Sequence, residues 1–334
     1  GTVAADDQRM MPPRILSIGE AMLELSSAGQ GDLWRLGIAG DTFNTAWYLR
    51  RLLPKAFSVD YFTRVGTGEF SQQMLDFLAA EGVGTGHIAR DPRREIGLYA
   101  ISLKNGERSF SYWRDSSAAK LLADDPAALD RALAGARVAY FSGISVAILS
   151  DQGRANLRAA LDRARADGTT VVFDPNLRPR LWPDAGAMRA GIEEAASGAD
   201  LVLPSFDDEA AHFGDADAQA TIRRYLALGA GHVVVKNGGG PMWFGGRQGT
   251  GDLAGLTPEQ PVDTTAAGDS FNAGYLAAML AGADCAGAIC ASSSRRKSSR
   301  TALSPAALAS NCSAMRCISG CTAPANSCRR ALSP

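Results

Sequence analysis

At 334 residues, 46% hydrophobic, with a formal net charge of −1, the chain has the apolar content for one large α/β domain with additions, or for two domains. The charge is unevenly spread: no Asp or Glu occurs from Cys285 onward, so the preceding body is acidic overall, which argues against non-specific nucleic-acid binding. No apolar run reaches bilayer length and residues 1–13 lack the apolar core of a secretory signal, so a soluble, cytoplasmic protein with no membrane partner is expected.

Residues 1–13 read as a leader or expression remnant, with Met10 and Met11 before Pro12 and Pro13 marking the native start. Residues 14–19 form a short apolar strand ending at Glu20, and 22–25 and 33–38 alternate as strands. A helix is expected over 45–53, with Asp41 or Thr42 as its cap. Strands at 59–65, 138–142, 170–174, 201–204 and 232–236 then alternate with helices at 70–81, 151–167 and 218–228. This rhythm implies a mainly parallel sheet covered by helices on both faces. Two pieces break it: the 22–38 pair, and a hairpin of 96–103 with 108–113 around the turn signal Asn105-Gly106. Strands that cannot join the central sheet can pair into a small separate one.

Toward the C-terminus, Phe271, Tyr275 and Met279 recur at helical spacing, so a helix begins at or just after Asp269. From about Ala291 no period persists, and Ser, Arg, Cys and Ala predominate. All six cysteines lie between Cys285 and Cys328; Cys312, Cys317, Cys321 and Cys328 are not paired at short spacing, and His87, His212 and His232 are far upstream, so structural zinc is not expected. Residues 291–334 read as an anomalous tail, consistent with a shift of reading frame near Ile289.

The segment DTTAAGDSFNAGY, Asp263 to Tyr275, carries the chemistry. Small residues at Ala266, Ala267 and Gly268 let backbone approach a ligand, and the first amides of the following helix are unpaired and partially positive, so they can hold a phosphate. Asp269 beside such an anion hole can take a proton from a hydroxyl. An Asp cap on a core helix is the plainer reading of the same residue. The whole string, however, resembles the C-terminal signature of the ribokinase (PfkB) family of sugar kinases, many members of which have Gly where Ala266 stands. The string Ala39 to Ala46, AGDTFNTA, is similar to that family's N-terminal signature. The match makes Gly40, Asp41 and Asn44 substrate contacts; a turn and helix start is again the plainer reading.

The resemblance implies a ribokinase-like three-layer α/β/α domain over 14–290, with a β-sheet lid from strands at about 20–38 and 95–114. It also implies ATP and Mg2+. Gly97 to Lys120 looks like the 2-keto-3-deoxygluconate kinase branch, in which two tyrosines and an arginine contact an acid sugar, here Tyr99, Tyr112 and Arg114. Packing of the lid sheet is the alternative role for the aromatic residues. Phe173 to Trp182 is a third match, making Asn176 and Arg178 site residues and giving Asp174 a part in organising magnesium through water. On the nucleotide side, Ser205 stands where many relatives have Asn, and Asp208 and Glu209 are rival residues for ordering magnesium-bound water. Lys236, Asn237, Gly238 and Gly240 belong to a glycine-rich turn suited to the nucleotide, although the chain has no GxxxxGK[ST] loop. The expected activity is ATP-dependent phosphorylation of 2-keto-3-deoxy-D-gluconate to its 6-phosphate, with Asp269 as base and the lid able to pair two copies. A fructokinase or other neutral-sugar kinase is the rival, and a non-catalytic sugar-acid binder is a third reading.

Overall fold

The computed structural model describes residues 12–27, 33–104, 107–238, 240–247, 249–254 and 266–294. The Asn105-Gly106 turn, Asp263 to Thr265 of the C-terminal signature, Gly239, most of the leader, and the tail from 295 with its four cysteines lie outside the described residues.

In chain order the strands are β1 (Arg14–Ile18), β2 (Met22–Ser27), β3 (Trp34–Ala39), β4 (Ser58–Phe62), β5 (Arg64–Gly66), β6 (Ala89–Asp91) and β7 (Gly97–Lys104). They continue as β8 (Glu107–Trp113), β9 (Val138–Ser142), β10 (Thr170–Asp174), β11 (Leu201–Val202), β12 (His232–Val235), β13 (Met242–Gly246) and β14 (Gly251–Leu253). The α-helices are α1 (Asp41–Leu52), α2 (Glu69–Ala80), α3 (Pro126–Leu133), α4 (Gly143–Ala147), α5 (Asp151–Ala166) and α6 (Ala185–Ser197). After them come α7 (Phe206–Phe213), α8 (Ala218–Ala227), α9 (Ala267–Leu280) and α10 (Cys285–Ser294).

The main sheet has the order β14-β13-β12-β11-β10-β9-β1-β4. It is parallel from β12 to β4, and β13 and β14 extend one edge antiparallel. Alternation along each strand splits the core in two, as a sheet covered on both faces requires. Leu16, Ile18, Phe141, Phe173 and Val233 pack with residues of α3, α5, α6 and α8 on one side. Ile15, Tyr140, Val172 and Val234 pack with α1, α2, α9 and α10 on the other. The result is the expected three-layer α/β/α arrangement.

The second sheet has the order β3-β2-β7-β8, with β2 parallel to β7 and the outer pairs antiparallel. This is the separate sheet expected from the strands that break the βα rhythm. The expected strand over 59–65 divides: β4 closes the edge of the main sheet, whereas β5 pairs with β6 in a ladder of its own. Helix α1 starts at Asp41, four residues before the apolar periodicity, and its N-cap is Gly40 with no side-chain cap bond, not the expected Asp41 or Thr42; both lie inside the first turn, where Asp41 Oδ1 accepts from Thr42 N at 2.8 Å. Helix α9 likewise starts two residues ahead of Asp269.

Candidate active site

Ala266 has φ 62° and ψ 16°, a left-handed conformation that swings the chain into α9. The first intrahelical bond runs from Ser270 N to Ala266 O at 2.9 Å, so the amides at 266–269 precede the ladder and project from the helix start. Asp269 lies in this first turn, and its side chain is buried. Asn44 Nδ2, from α1, donates to Asp269 Oδ2 at 2.9 Å. Thr45 Oγ1 also donates to Asp269 O at 3.4 Å, so the two signature segments, far apart in the chain, meet at Asp269. Beside it, Asn176 Nδ2 donates to Asp41 Oδ2 at 2.7 Å. Asn176 has φ 35°, a left-handed value that Asn tolerates, and it aims its amide back at α1.

The Asp269 carboxyl is raised to about 8, first by burial and then by the charges of Asp41 and Asp174, against the opposing Asn44 hydrogen bond and Lys236 charge. Three carboxylates thus share a space in which the nearby ammonium is spoken for. Lys236 Nζ is buried and donates to both Asp174 oxygens at 3.2 Å and to Asn272 Oδ1 at 3.3 Å. Asn272 Nδ2 in turn donates to Asp174 Oδ2 at 2.6 Å and to Tyr140 OH at 2.9 Å. A Cβ built on Gly268 would lie 3.8 Å from Lys236 Nζ, so this lysine stands under the anion-holding turn. Sequence reasoning put Lys236 on a glycine-rich turn but missed Asn272 and Tyr140. The available signal was a polar residue three positions after Asp269 on an otherwise apolar helix, where i and i+3 share a face.

The other nucleotide-side candidates divide. Asp208, in the first turn of α7, is raised by burial and by Asp174, and lowered by Arg178, His212 and Lys236, which places it among the site charges. Arg178 Nη1 donates to Leu177 O at 2.6 Å. Glu209 turns the other way: it is fully buried, accepts from Arg224 Nη2 at 2.6 Å and Tyr225 OH at 3.0 Å, and burial raises it to about 7. Its carboxylate ties α7 to α8. Ser205 holds the N-cap position of α7, without a side-chain cap bond, and bridges to Lys236, whose carbonyl accepts from Phe206 N at 2.8 Å. In the turn beyond, Asn237 O accepts from Gly240 N at 2.6 Å, Asn237 Nδ2 donates to Pro241 O at 3.1 Å, and Gly238 has φ 46°.

On the lid, Tyr99 OH is hydrogen-bonded to Glu24 Oε2, and burial and that carboxylate push the phenol well above its usual range. Tyr112 lies 5.8 Å from the Tyr99 ring and is half exposed. Arg114 Nη2 is paired with Glu20 Oε2. At Gly40 a Cβ would lie 2.3 Å from Glu20 O, so the glycine lets these two backbone segments pack closely.

A model of the pfkB family carbohydrate kinases matches residues 13–294. The chain is 42% identical over 279 residues to a 2-dehydro-3-deoxygluconokinase of Escherichia coli K12, covering 81% of this chain and 90% of that protein. Among solved structures, a PfkB protein from Polaromonas sp. JS666 superposes with a TM-score of 0.75 at 30% identity, covering 85% of this chain and 94% of that one. A fructokinase with bound ATP from Xylella fastidiosa does so with a TM-score of 0.71 at 28% identity, covering 83% and 84%.

Proposed function

The chain belongs to the PfkB family of carbohydrate kinases, which are phosphotransferases, and we propose that it uses ATP to phosphorylate 2-keto-3-deoxy-D-gluconate, also called 2-dehydro-3-deoxygluconate, at its terminal hydroxyl, giving the 6-phosphate. The observation that carries this reading is the buried Asp269 carboxyl, held by Asn44 in the first turn of α9 and raised to about 8. A base of that strength accepts the hydroxyl proton as the sugar oxygen bonds to the terminal phosphorus and the bond to the bridging oxygen of ADP breaks. The unpaired amides from Ala266 through Gly268, and that of Asp269, face the charge that develops on the transferring group. Lys236 supports that turn from below. Asp41, Asn44, Asn176 and Tyr99 bind the sugar chain, and Arg114 and Arg178 meet its acid end.

Magnesium is the ion that ATP brings to such a site. Such an ion keeps its waters and phosphate ligands and needs only one or two carboxylates. Asp208 and Asp174, close enough that one raises the other, are the oxygen donors that fit. When bound, the ion neutralises charge on the phosphates.

A neutral ketohexose is the second reading, favoured by one observation: Glu20 already balances Arg114. ADP release measured on 2-keto-3-deoxygluconate, its galactonate epimer and fructose separates the two. The acid is expected to exceed fructose by about tenfold or more in kcat/KM, the scale of one charge-assisted contact. An equal or better rate on fructose removes the acid as substrate, and no ADP release with tight sugar-acid binding makes the chain a binder. The same reading includes a homo-oligomer formed through the lid.

A further inference from the structure

All four connections between the lid and the main sheet pass the side chain or backbone of Glu20. Strand β2 begins two residues after it. Strand β3 hands the chain to α1 through Gly40, where a Cβ would lie 2.3 Å from Glu20 O. Strand β7 begins at Gly97, where a Cβ would lie 3.1 Å from Glu20 Oε1 and 3.4 Å from Arg114 Cβ. Strand β8 gives way to Arg114, whose Nη2 is paired with Glu20 Oε2.

This pair is nearly dry, with side chains 1% exposed at Glu20 and 11% at Arg114, and Glu20 Oε1 has no hydrogen-bond donor among the described residues. Stability does not account for it, since a well-packed apolar pair is commonly as stable as a buried ion pair, and an orphaned carboxylate oxygen is a cost. What the pair does supply is orientation. A guanidinium held at one Nη keeps its remaining N–H groups in a fixed plane, and Gly97 leaves the space in which the carboxylate can reach it.

We propose that Glu20 is a positioning residue, the hub that fixes the lid root against β1 and aims Arg114 at the substrate. That Arg114 meets an acid sugar rests on the kinase reading above; that Glu20 fixes the lid root does not. The Glu20 carboxylate is spent on Arg114 at the lid root, whereas Lys236 and Asp174 are paired with each other at the nucleotide side, so the effect of Glu20 belongs to sugar binding and not to the nucleotide.

The test is Glu20→Gln, which keeps the volume and removes the charge, with Gly97→Ala as a second variant that leaves both charges in place and crowds Glu20 Oε1 at 3.1 Å, Met22 Cγ at 3.2 Å and Arg114 Cβ at 3.4 Å. In both, KM for 2-keto-3-deoxygluconate is expected to rise about tenfold and KM for ATP to change by less than about twofold, as loss of one sugar-side contact dictates. Amide exchange in β2, β3, β7 and β8 is expected to quicken about tenfold, while β9 and β10 keep wild-type protection. Wild-type exchange in the lid of both variants, exchange quickened equally in lid and main sheet, or a parallel rise in both KM values overturns the proposal. If the wild-type protein turns over no sugar with ATP, the kinase reading fails, and lid exchange alone decides the role of Glu20.

Discussion

Asp269 has to be ionised to accept a proton, yet its surroundings favour the neutral form. With its carboxyl raised to about 8, kcat/KM for the sugar should climb with pH through about 8 and level off above it. The same shift reaches stability. The native carboxyl binds its proton more tightly than an unfolded one at the ordinary value of 3.8, so stability is full below about 4 and is lost as pH rises through about 8. Asp269→Asn removes that loss. It should therefore melt above the wild type by a few degrees at pH 8, and the gap should shrink toward pH 4, while turnover falls by about 10²–10⁴ with little change in sugar KM. Melts at the two pH values and steady-state rates check both halves; a variant no more stable at pH 8 than the wild type, or one with near-normal turnover, would remove Asp269 from its role. At this scale the sequence showed Asp269, Asn44 and Asp41 through local strings. The Lys236–Asp174–Asn272 triangle joins residues 62 and 98 positions apart and could emerge only from the fold.

The start of α9 is where element and site coincide. Ala266 takes a left-handed conformation that costs an alanine more than a glycine, which gives a physical reason for glycine at this place in many related kinases. Ala266→Gly should raise stability by about 0.5–1 kcal/mol, the αL relief less the entropy of a freer unfolded chain, or about 1–3 °C in Tm. Gly268 is the converse case. An added Cβ meets Lys236 Nζ at an ordinary 3.8 Å and alanine favours helix, so Gly268→Ala should fold as well as the wild type; its methyl crowds the face that holds phosphate, and kcat/KM for ATP should fall by about tenfold or more. Lost stability in that variant, or unchanged ATP kinetics, would argue against the anion hole. Elements legible beforehand were those with a strong period, such as β10 and α5. Helix α6 escaped because its buried face is Met188, Gly191, Ile192 and Ala196, with Gly191 pressed on Trp182, so small residues hide the stripe. Strands β13 and β14 are short and glycine-bearing, which blurs alternation.

For the molecule as a whole, the lid presents surface that a lone chain does not use. The register puts Trp34 and Leu36 of β3 on one face with Leu25 of β2, Ala100 of β7 and Trp113 of β8, opposite to the face carrying Glu24, Tyr99 and Tyr112. Trp34, Leu36 and Trp113 are 48%, 41% and 61% exposed, and the charged positions on that face are Lys104 and Glu107, paired with each other at the far end of the β7–β8 ladder. An exposed apolar sheet face of this kind marks an interaction surface, and a second copy would meet it with an identical, self-complementary patch about a two-fold axis. On the proposed function the sugar binds on the opposite face, the one carrying Tyr99, so pairing of two lids would leave the sugar path open. Sedimentation at micromolar concentration should then show a dimer or a multiple of it, and Leu36→Glu, which places a carboxylate within the patch opposite Leu25, should shift the chain to monomer without lowering its melting temperature more than a surface change does, within about 0.5 kcal/mol. A wild-type chain that sediments as a monomer across that range would leave the apolar face to another partner.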